Sequence, residues 1–311
     1  MVTRVAGTLK PRTLIRALRP LLLLLFTLPA FAAERQTLQV AGARLDVVME
    51  GTVDLPRATV LAWVERAARA VGTYYGRFPV PRVRIEIMSF EGGGVGSGTT
   101  YPTDGGRIII SLGRQSTEDQ LINDWVMTHE MVHLGFPSLP RRHHWMEEGM
   151  ATYVEPLGRA WAGDLPATKI WADLVDGLPN GLPRDGDRGL DFTPTWGRTY
   201  WGGALFFLLA DIEIHRRTDN KKGLEHALRG IVAAGGTIDH RWSTDELVAA
   251  GDKATGVPVL RELYDRMKGS PAPVDLDDLW KRLGVVAGPK GIVFDARAPL
   301  APVRQGITAG H

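Results

Sequence analysis

The feature that most constrains this chain is the segment 128–133, whose sequence T-H-E-M-V-H contains the pattern H-E-x-x-H. Residues four apart on a helix lie on the same face, so His129 and His133 can each direct an imidazole nitrogen at a single Zn²⁺. Glu130 lies beside them, where a carboxylate can accept a proton from a water molecule that the metal activates. The pattern therefore predicts a zinc centre, and the alternative is a surface helix with two solvated histidines.

Composition restricts the donors that such a centre can have. The chain of 311 residues contains no cysteine, so zinc would be held by histidine, carboxylate and water rather than by thiolates. Hydrophobic residues make up 44% of the sequence and charged residues 23%, as in ordinary soluble globular proteins. This length is sufficient for a sizeable core in one large domain or in two lobes.

Residues 1–32 have the pattern of a secretory signal peptide. They contain basic residues and no acidic one, and an apolar segment begins at Leu21. This segment is about 13 residues long and includes the small-x-small cleavage pattern Ala30-Phe31-Ala32. It is shorter than the roughly 20 residues that cross a bilayer. We expect a periplasmic or secreted protein without a stable membrane span after cleavage, and an uncleaved N-terminal anchor is the alternative.

The charge balance disfavours a nucleic-acid partner. The whole chain has 37 basic and 35 acidic side chains, which gives a net charge of +2. Without residues 1–32 the chain has 32 basic and 35 acidic side chains, so the net charge falls to −3. Because a nucleic-acid-binding domain keeps a basic excess in its folded part, we predict no nucleic-acid partner.

Hydrophobic periodicity predicts strands with one helix in the first part of the chain. Alternating or β-branched segments indicate a β-hairpin over 37–50 and strands over 80–88 and 107–111, and a capped apolar stripe indicates a helix over 54–75. The glycine-rich segment 91–98 is expected to form an irregular flap or wide turn.

Helices dominate the rest of the sequence. Apart from the helix that carries the motif, they are predicted over 145–155, 199–217, 222–234, 243–250, 257–268 and 276–283, with a possible strand at 292–294. This order is typical of an α+β fold. After the predicted signal peptide, we divide the chain into an N-terminal α/β lobe over 33–115, the zinc helices with a helical lobe over 116–285, and a tail over 286–311.

The motif is predicted to lie on a single helix over 116–134. Thr117 and Gln120 form a capping box at its start. Apolar residues precede the motif at helical spacings: Ile122, Trp125 and Val126. We therefore expect His129 and His133 to continue the apolar face of this helix and to point into the protein, which favours zinc ligation over solvated histidines.

A zinc site with two histidines and an open position for water needs a third protein ligand. Glu148 on the helix 145–155 is the best candidate, because Gly149 beside it permits a close approach of the two zinc helices. Glu147 is the alternative, although a turn of about 100° per residue points only one of the two inward. Glu155 shares a face with Glu148 and can orient a ligand imidazole, or it is a solvated glutamate at the helix end.

Other histidine arrangements fit less well. A metzincin site needs H-E-x-x-H-x-x-G-x-x-H, but Phe136 and Leu139 occupy the positions of the glycine and the third histidine. His143 or His144 would complete an all-histidine site only at an unfamiliar spacing, and we interpret both as linker residues near the cleft.

The two predicted zinc helices together resemble a known family. H-E-x-x-H followed by W-x-x-E-G-x-A-x-Y-x-E over 145–155 is similar to the gluzincin metallopeptidases, in particular the aminopeptidase N-like group and the peptidase MA-like domains. The resemblance implies a thermolysin-like, two-lobed catalytic domain of the α+β class, with a mixed β-sheet in the N-terminal lobe and a mostly helical C-terminal lobe. It also implies a Zn²⁺ cofactor held by His129, His133 and Glu148, and a peptide or protein substrate.

The resemblance extends to the segment Tyr200-Trp-Gly-Gly, because the family carries a tyrosine that opens a Y-x-x-G helix there. By this match Tyr200 donates a hydrogen bond to the oxyanion of the tetrahedral intermediate. A neutral phenol in that place can meet charge that develops only in the transition state. A core or rim aromatic residue is the alternative for Tyr200.

Two differences from the aminopeptidase N-like group concern specificity. Glu148 follows His133 by 15 positions, fewer than is usual in that group, so the connection between the helices is shorter. No G-x-M-E-N motif precedes the zinc helix, and the glutamate of that motif holds the free α-amine of the substrate in the aminopeptidases. The resemblance therefore supports the catalytic core, and both aminopeptidase and endopeptidase action stay open.

The sequence thus predicts an exported zinc metallopeptidase with Glu130 as general base. The strand 107–111 is expected to pair with an extended peptide as an added edge strand. Two other functions stay open: a non-catalytic, zinc-stabilised binding module of the cell envelope, and a zinc hydrolase that acts on a non-peptide amide or a cell-wall crosslink.

Overall fold

The computed structural model describes residues 34–103 and 105–310, and the predicted signal peptide 1–32 lies outside this part of the chain. The first part forms a five-stranded sheet with the order β1-β2-β3-β5-β4. Its strands are β1 (Glu34–Val40), β2 (Ala43–Glu50), β3 (Arg82–Phe90), β4 (Val95–Tyr101) and β5 (Arg107–Gly113). The sheet is mixed, because β2, β3 and β5 run parallel while β1 and β4 pair antiparallel at the two edges.

The predicted hairpin and crossover helix are both present. Ala41 and Gly42 adopt positive φ angles of 47° and 84° between β1 and β2, as a two-residue hairpin turn requires. Helix α1 (Arg57–Tyr75) then connects the parallel strands β2 and β3. Its predicted apolar stripe is buried at Val64 and Val71, so the helix packs its apolar face into the core.

The second part of the chain is mostly helical, and the α+β prediction is confirmed. The helices are α2 (Glu118–Ile122), α3 (Val126–His133), α4 (His144–Trp161), α5 (Ala167–Gly177), α6 (Gly203–Arg217), α7 (Leu224–Ala233), α8 (Thr244–Thr255), α9 (Val259–Met267), α10 (Leu276–Leu283) and α11 (Ala301–Ala309). A π-helical turn (Arg198–Gly202) leads into α6, and a hairpin of β6 (Val285–Gly288) and β7 (Gly291–Phe294) precedes α11. Among the described residues, no helix is both long and apolar enough to cross a membrane.

The prediction of one continuous helix over 116–134 is wrong. The helix is broken between α2 and α3, where the Asp124 carboxylate accepts hydrogen bonds from the backbone N–H groups of Val126 and Met127 at 3.0 and 3.1 Å. A side chain that caps the next helix in this way competes with continuation of the previous one. As a result Ile122 and Trp125 are exposed by 47% and 54% instead of extending an inward apolar face.

The prediction of an irregular segment over 91–98 holds for residues 91–94 but is wrong from Val95 onward, because those residues belong to β4. The glycines weaken strand propensity, but β5 supplies the backbone partners that hold β4 in the sheet. Strand β5 consequently lies between β3 and β4. It is not the free edge that was expected to pair with a peptide, and β4 takes that place.

Two further segments differ from the sequence-based expectation. Helix α4 continues through Pro156 to Trp161, although a proline removes one helical hydrogen bond. The buried side chains of Val154 and Leu157 on either side show that packing holds the helix together there. The segment 286–311, which was expected to be a tail, contains the helix α11. Four residues of this helix are buried: Ala301, Val303, Arg304 and Ile307.

Candidate active site

The two predicted zinc helices meet at the predicted ligands. His129 and His133 of α3 face Glu148 of α4, and the Glu148 Oε2 atom lies 3.3 Å from His129 Nε2 and 3.7 Å from His133 Nε2. Ligand atoms at the corners of a tetrahedron with zinc bonds of about 2.1 Å would be about 3.4 Å apart. Two imidazoles and one carboxylate at this separation fit zinc and leave a fourth position for water or substrate.

Glycines set the position of α4, but not in the way that the sequence suggested. A Cβ atom on Gly149 would lie 2.3 Å from the Cα atom of Gly203, at the start of α6. Gly149 therefore permits the close approach of α4 to α6 rather than to α3. Because Tyr200 lies one turn before Gly203, this contact also brings Tyr200 towards Glu148.

The charge states of the ligands suit a metal. Burial by itself raises the pKa of Glu148, but the hydrogen bond with His129 and the charges of His133 and His129 outweigh it and hold the pKa at about 2. Burial, and then the charge of His129, lower the pKa of His133 to about 3. At neutral pH the site thus offers a carboxylate and a neutral imidazole, the forms that bind a metal.

Glu130 lies against strand β4. Its Oε2 atom is 2.7 Å from the Thr100 hydroxyl, and a Cβ atom on Gly98 would lie 2.5 Å from Glu130 Cγ. Burial raises the pKa of Glu130, and this favours its use as a proton acceptor and donor near neutral pH. Neither Gly98 nor Thr100 was identified from the sequence, since only the pairing of β4 places them beside the motif.

Tyr200 lies in the π-helical turn, a rare conformation that is frequent at functional sites. Burial, and then the charge of Glu148, raise the pKa of Tyr200 to about 12, so its hydroxyl is a hydrogen-bond donor at neutral pH. Arg198 in the same turn forms an ion pair with Asp187 at 2.8 Å and donates a hydrogen bond to the Gly181 carbonyl at 2.6 Å. These contacts attach the turn to the loops beside it.

Contacts at the start of α4 distinguish Glu148 from the other candidates for the third ligand. Glu147 accepts hydrogen bonds from the Leu139 backbone N–H at 2.8 Å and lies 2.9 Å from His144 Nδ1, so it faces away from the histidine pair. His144 also contacts the carboxylate of Glu148, with its Nε2 atom 3.3 Å from Glu148 Oε1. His143 is buried and contacts Asp191 instead. His144 thus lines the cleft, in agreement with the interpretation of a linker residue near it, while His143 does not.

Glu155 is not a solvated glutamate. It is buried in α4 and accepts a hydrogen bond from Arg159 at 2.8 Å. Burial raises its pKa to about 7, against the charge of Arg159. A role of Glu155 in orienting a ligand imidazole stays a prediction.

These residues share one cleft between the edge of the sheet and the helices. The cavity has a volume of about 640 Å³. Strand β4 contributes one wall, and the exposed Trp125 lies at the start of α3. The residues predicted for the site all line it: His129, Glu130, His133, Glu148 and Tyr200.

No protein-family profile matches the sequence, and no curated protein matches it either. Solved structures do match the fold. An aminopeptidase N family protein from Idiomarina loihiensis superposes with a TM-score of 0.60 and 14% identity over 86% of this chain and 53% of its own. A mutant M1 zinc metallopeptidase from Deinococcus radiodurans gives 0.51 and 18% over 78% of this chain and 53% of its own. The chain thus spans about half the length of these structures, and it has a gluzincin peptidase-like fold.

Proposed function

We propose that this protein is an exported, zinc-dependent metallopeptidase that hydrolyses peptide bonds. The observation that carries the proposal is the convergence of three metal-ligating side chains with the buried carboxyl group of Glu130 and the phenol of Tyr200 in one open cleft. A purely zinc-stabilised binding module needs neither Glu130 nor Tyr200 in these positions. The peptidase function of the structural neighbours supports the same reaction class.

Different residues of the site have different roles in the proposed reaction. His129, His133 and Glu148 would hold Zn²⁺, which when bound supplies a Lewis acid and lowers the pKa of a water molecule. The Glu130 carboxylate accepts the proton of the attacking water and delivers it to the leaving amine. The Tyr200 hydroxyl donates a hydrogen bond to the oxygen on which negative charge develops.

The edge strand β4 is the proposed binding site for the substrate backbone. It pairs with β5 on one side only and lines the cleft with Gly96, Gly98 and Thr100. An extended peptide can add to such an edge through backbone hydrogen bonds. Gly98 lets this strand pack closely against Glu130, so a peptide on the edge would lie near that carboxylate.

Replacement of Glu130 tests the proposal. Glu130→Gln should keep its zinc and lose activity by about 10²–10⁴-fold, because the amide cannot accept the proton. The protein is incubated with a peptide mixture whose cleavage products are identified by mass spectrometry, and its zinc content is measured in parallel. Glu118→Gln, at an exposed position of α2, is the control and should cleave like the wild type.

Other results would select other functions. Zinc binding without turnover of any peptide would indicate the envelope binding module, and cleavage restricted to cell-wall crosslinks or other amides would indicate the non-peptide hydrolase. A fully active Glu130→Gln variant would exclude the assigned base. Export is tested separately: the N-terminal sequence of the protein from the periplasm or medium should begin near residue 33 or 34.

A further inference from the structure

A second group of metal-ligating side chains lies inside the helical part of the protein, away from the catalytic cleft. Asp211 and His215 are one turn apart on α6, and Glu225 is in the first turn of α7. All three are buried, and each offers a ligand atom within 4.8 Å of the others. We propose that these three side chains bind a second Zn²⁺, which stabilises the packing of the helices.

The geometry resembles that of the catalytic ligands. His215 Nε2 lies 3.4 Å from Asp211 Oδ1, which equals the separation of about 3.4 Å between ligand atoms of a tetrahedral zinc site. A Cβ atom on Gly223 would lie 2.3 Å from Glu225 Oε2, 2.7 Å from His215 Nε2 and 3.0 Å from Asp211 Oδ1. The three donor atoms therefore lie together beside Gly223, where any larger side chain would collide with them.

The charges of the group require compensation. Two buried carboxylates are costly unless they are paired or bind a metal. Glu225 Oε1 lies 2.7 Å from His226 Nδ1, while Oε2 is the oxygen on the side of His215 and Asp211. A divalent cation between these three side chains would neutralise the charges of Asp211 and Glu225.

Neighbouring helices complete the enclosure. Tyr153 of α4 donates a hydrogen bond to Asp211 Oδ2 at 2.8 Å, and the Leu224 backbone N–H donates to Oδ1 at 2.8 Å. The buried Tyr74 hydroxyl of α1 has no hydrogen-bond partner among the described residues, and burial together with the charges of Asp211 and Glu225 raises its pKa. The ion would thus connect α6 and α7 next to α1 and α4. An imidazole ligand favours zinc over calcium or magnesium.

The metal content of the protein tests this proposal without a measurement of activity. The protein, without a histidine tag, is loaded with Zn²⁺ and dialysed, and zinc per chain is measured by mass spectrometry of the elements. We expect two equivalents in the wild type, one in Glu225→Gln, one in His133→Ala and none in the double variant. Glu213→Gln, a partly exposed position on α6, is the matched control and should keep two equivalents.

The variants also separate loss of a ligand from loss of the fold. A Glu225→Gln protein that keeps one equivalent and full peptidase activity is folded, so its missing equivalent belongs to the buried group. One equivalent in the wild type and none in His133→Ala would overturn the proposal. Two equivalents in both the wild type and Glu225→Gln would do so as well. Neither result changes the assignment of the catalytic ligands.

Discussion

At the scale of single residues, burial sets the protonation of the two side chains that would act on the substrate. Glu130 is enclosed by β4, and this raises its pKa towards the range of a general base. Tyr200 is held protonated by burial and by the nearby charge of Glu148. A carboxylate that accepts protons and a phenol that donates hydrogen bonds are both needed when charge moves from the attacking water to the carbonyl oxygen.

Tyr200→Phe removes the phenolic donor and keeps the ring. We expect kcat to fall by about 10²–10³-fold, as when one oxyanion donor is lost, with little change in KM or zinc content. Steady-state kinetics on a cleaved peptide measure the effect. Tyr101→Phe, at the exposed end of β4, is the control, and an unchanged kcat in Tyr200→Phe would remove this tyrosine from the mechanism.

At the scale of elements, the contact between β4 and α3 determines where Glu130 points. Gly98→Ala places a methyl group 2.5 Å from Glu130 Cγ, so the carboxylate must move. We expect a loss of at least tenfold in kcat with zinc binding and thermal unfolding close to those of the wild type. Gly269→Ala, outside the cleft, where a Cβ atom would lie 3.9 Å from its nearest neighbour, Phe192 Cε2, should leave kcat within twofold. Equal activity of the two variants would show that the contact is not needed.

The break between α2 and α3 depends on one carboxylate. Asp124 accepts two backbone hydrogen bonds from the start of α3 and a third from Trp63 Nε1 at 2.9 Å. Asp124→Ala leaves these donors unpaired, so we expect a loss of about 1–3 kcal/mol in the free energy of unfolding. Urea denaturation measures it, and Asp119→Ala at an exposed position of α2 should change it by less than about 0.5 kcal/mol. Equal midpoints for both variants would contradict the capping role.

At the scale of the whole molecule, Asp191 connects distant parts of the helical region. Its carboxylate accepts hydrogen bonds from Trp145 Nε1 at 2.8 Å and from Tyr264 of α9 at 3.3 Å, and it contacts His143 Nδ1 at 2.9 Å. Burial alone raises the pKa of Asp191, but the hydrogen bonds from His143 and Trp145 outweigh it and lower the pKa below its usual value. The charged form of Asp191 is therefore favoured by folding.

This shift predicts how stability depends on pH. A carboxylate with a lowered folded-state pKa stabilises the protein fully above its unfolded pKa of about 3.9, and the contribution is lost as the pH falls through the folded pKa. Asp191→Asn should therefore lower the melting temperature at pH 7, and the difference from the wild type should narrow below about pH 4. Asp185→Asn, in an exposed part of the same loop, is the control. A pH-independent difference for Asp191→Asn would contradict the linkage.

The sequence by itself was sufficient for the local geometry of the site. The four-residue spacing of His129 and His133 places both on one face of a helix, and the turn of about 100° per residue meant that only one of Glu147 and Glu148 could point inward. Both follow from the constant turn per residue of a helix, which does not depend on the rest of the molecule. The strand-then-helix order was likewise visible, because apolar periodicity marks each type of element.

Only the tertiary structure decided which neighbours these residues have. The glycine-rich β4 carries no periodicity, and its hydrogen bonds come from β5, so its place beside Glu130 depends on a non-local pairing. The same holds for Asp211, His215 and Glu225, which no local spacing joins across two helices. Positions that are set by contacts distant in sequence leave no pattern in the sequence near them, and strand β4 and the buried group are of this kind.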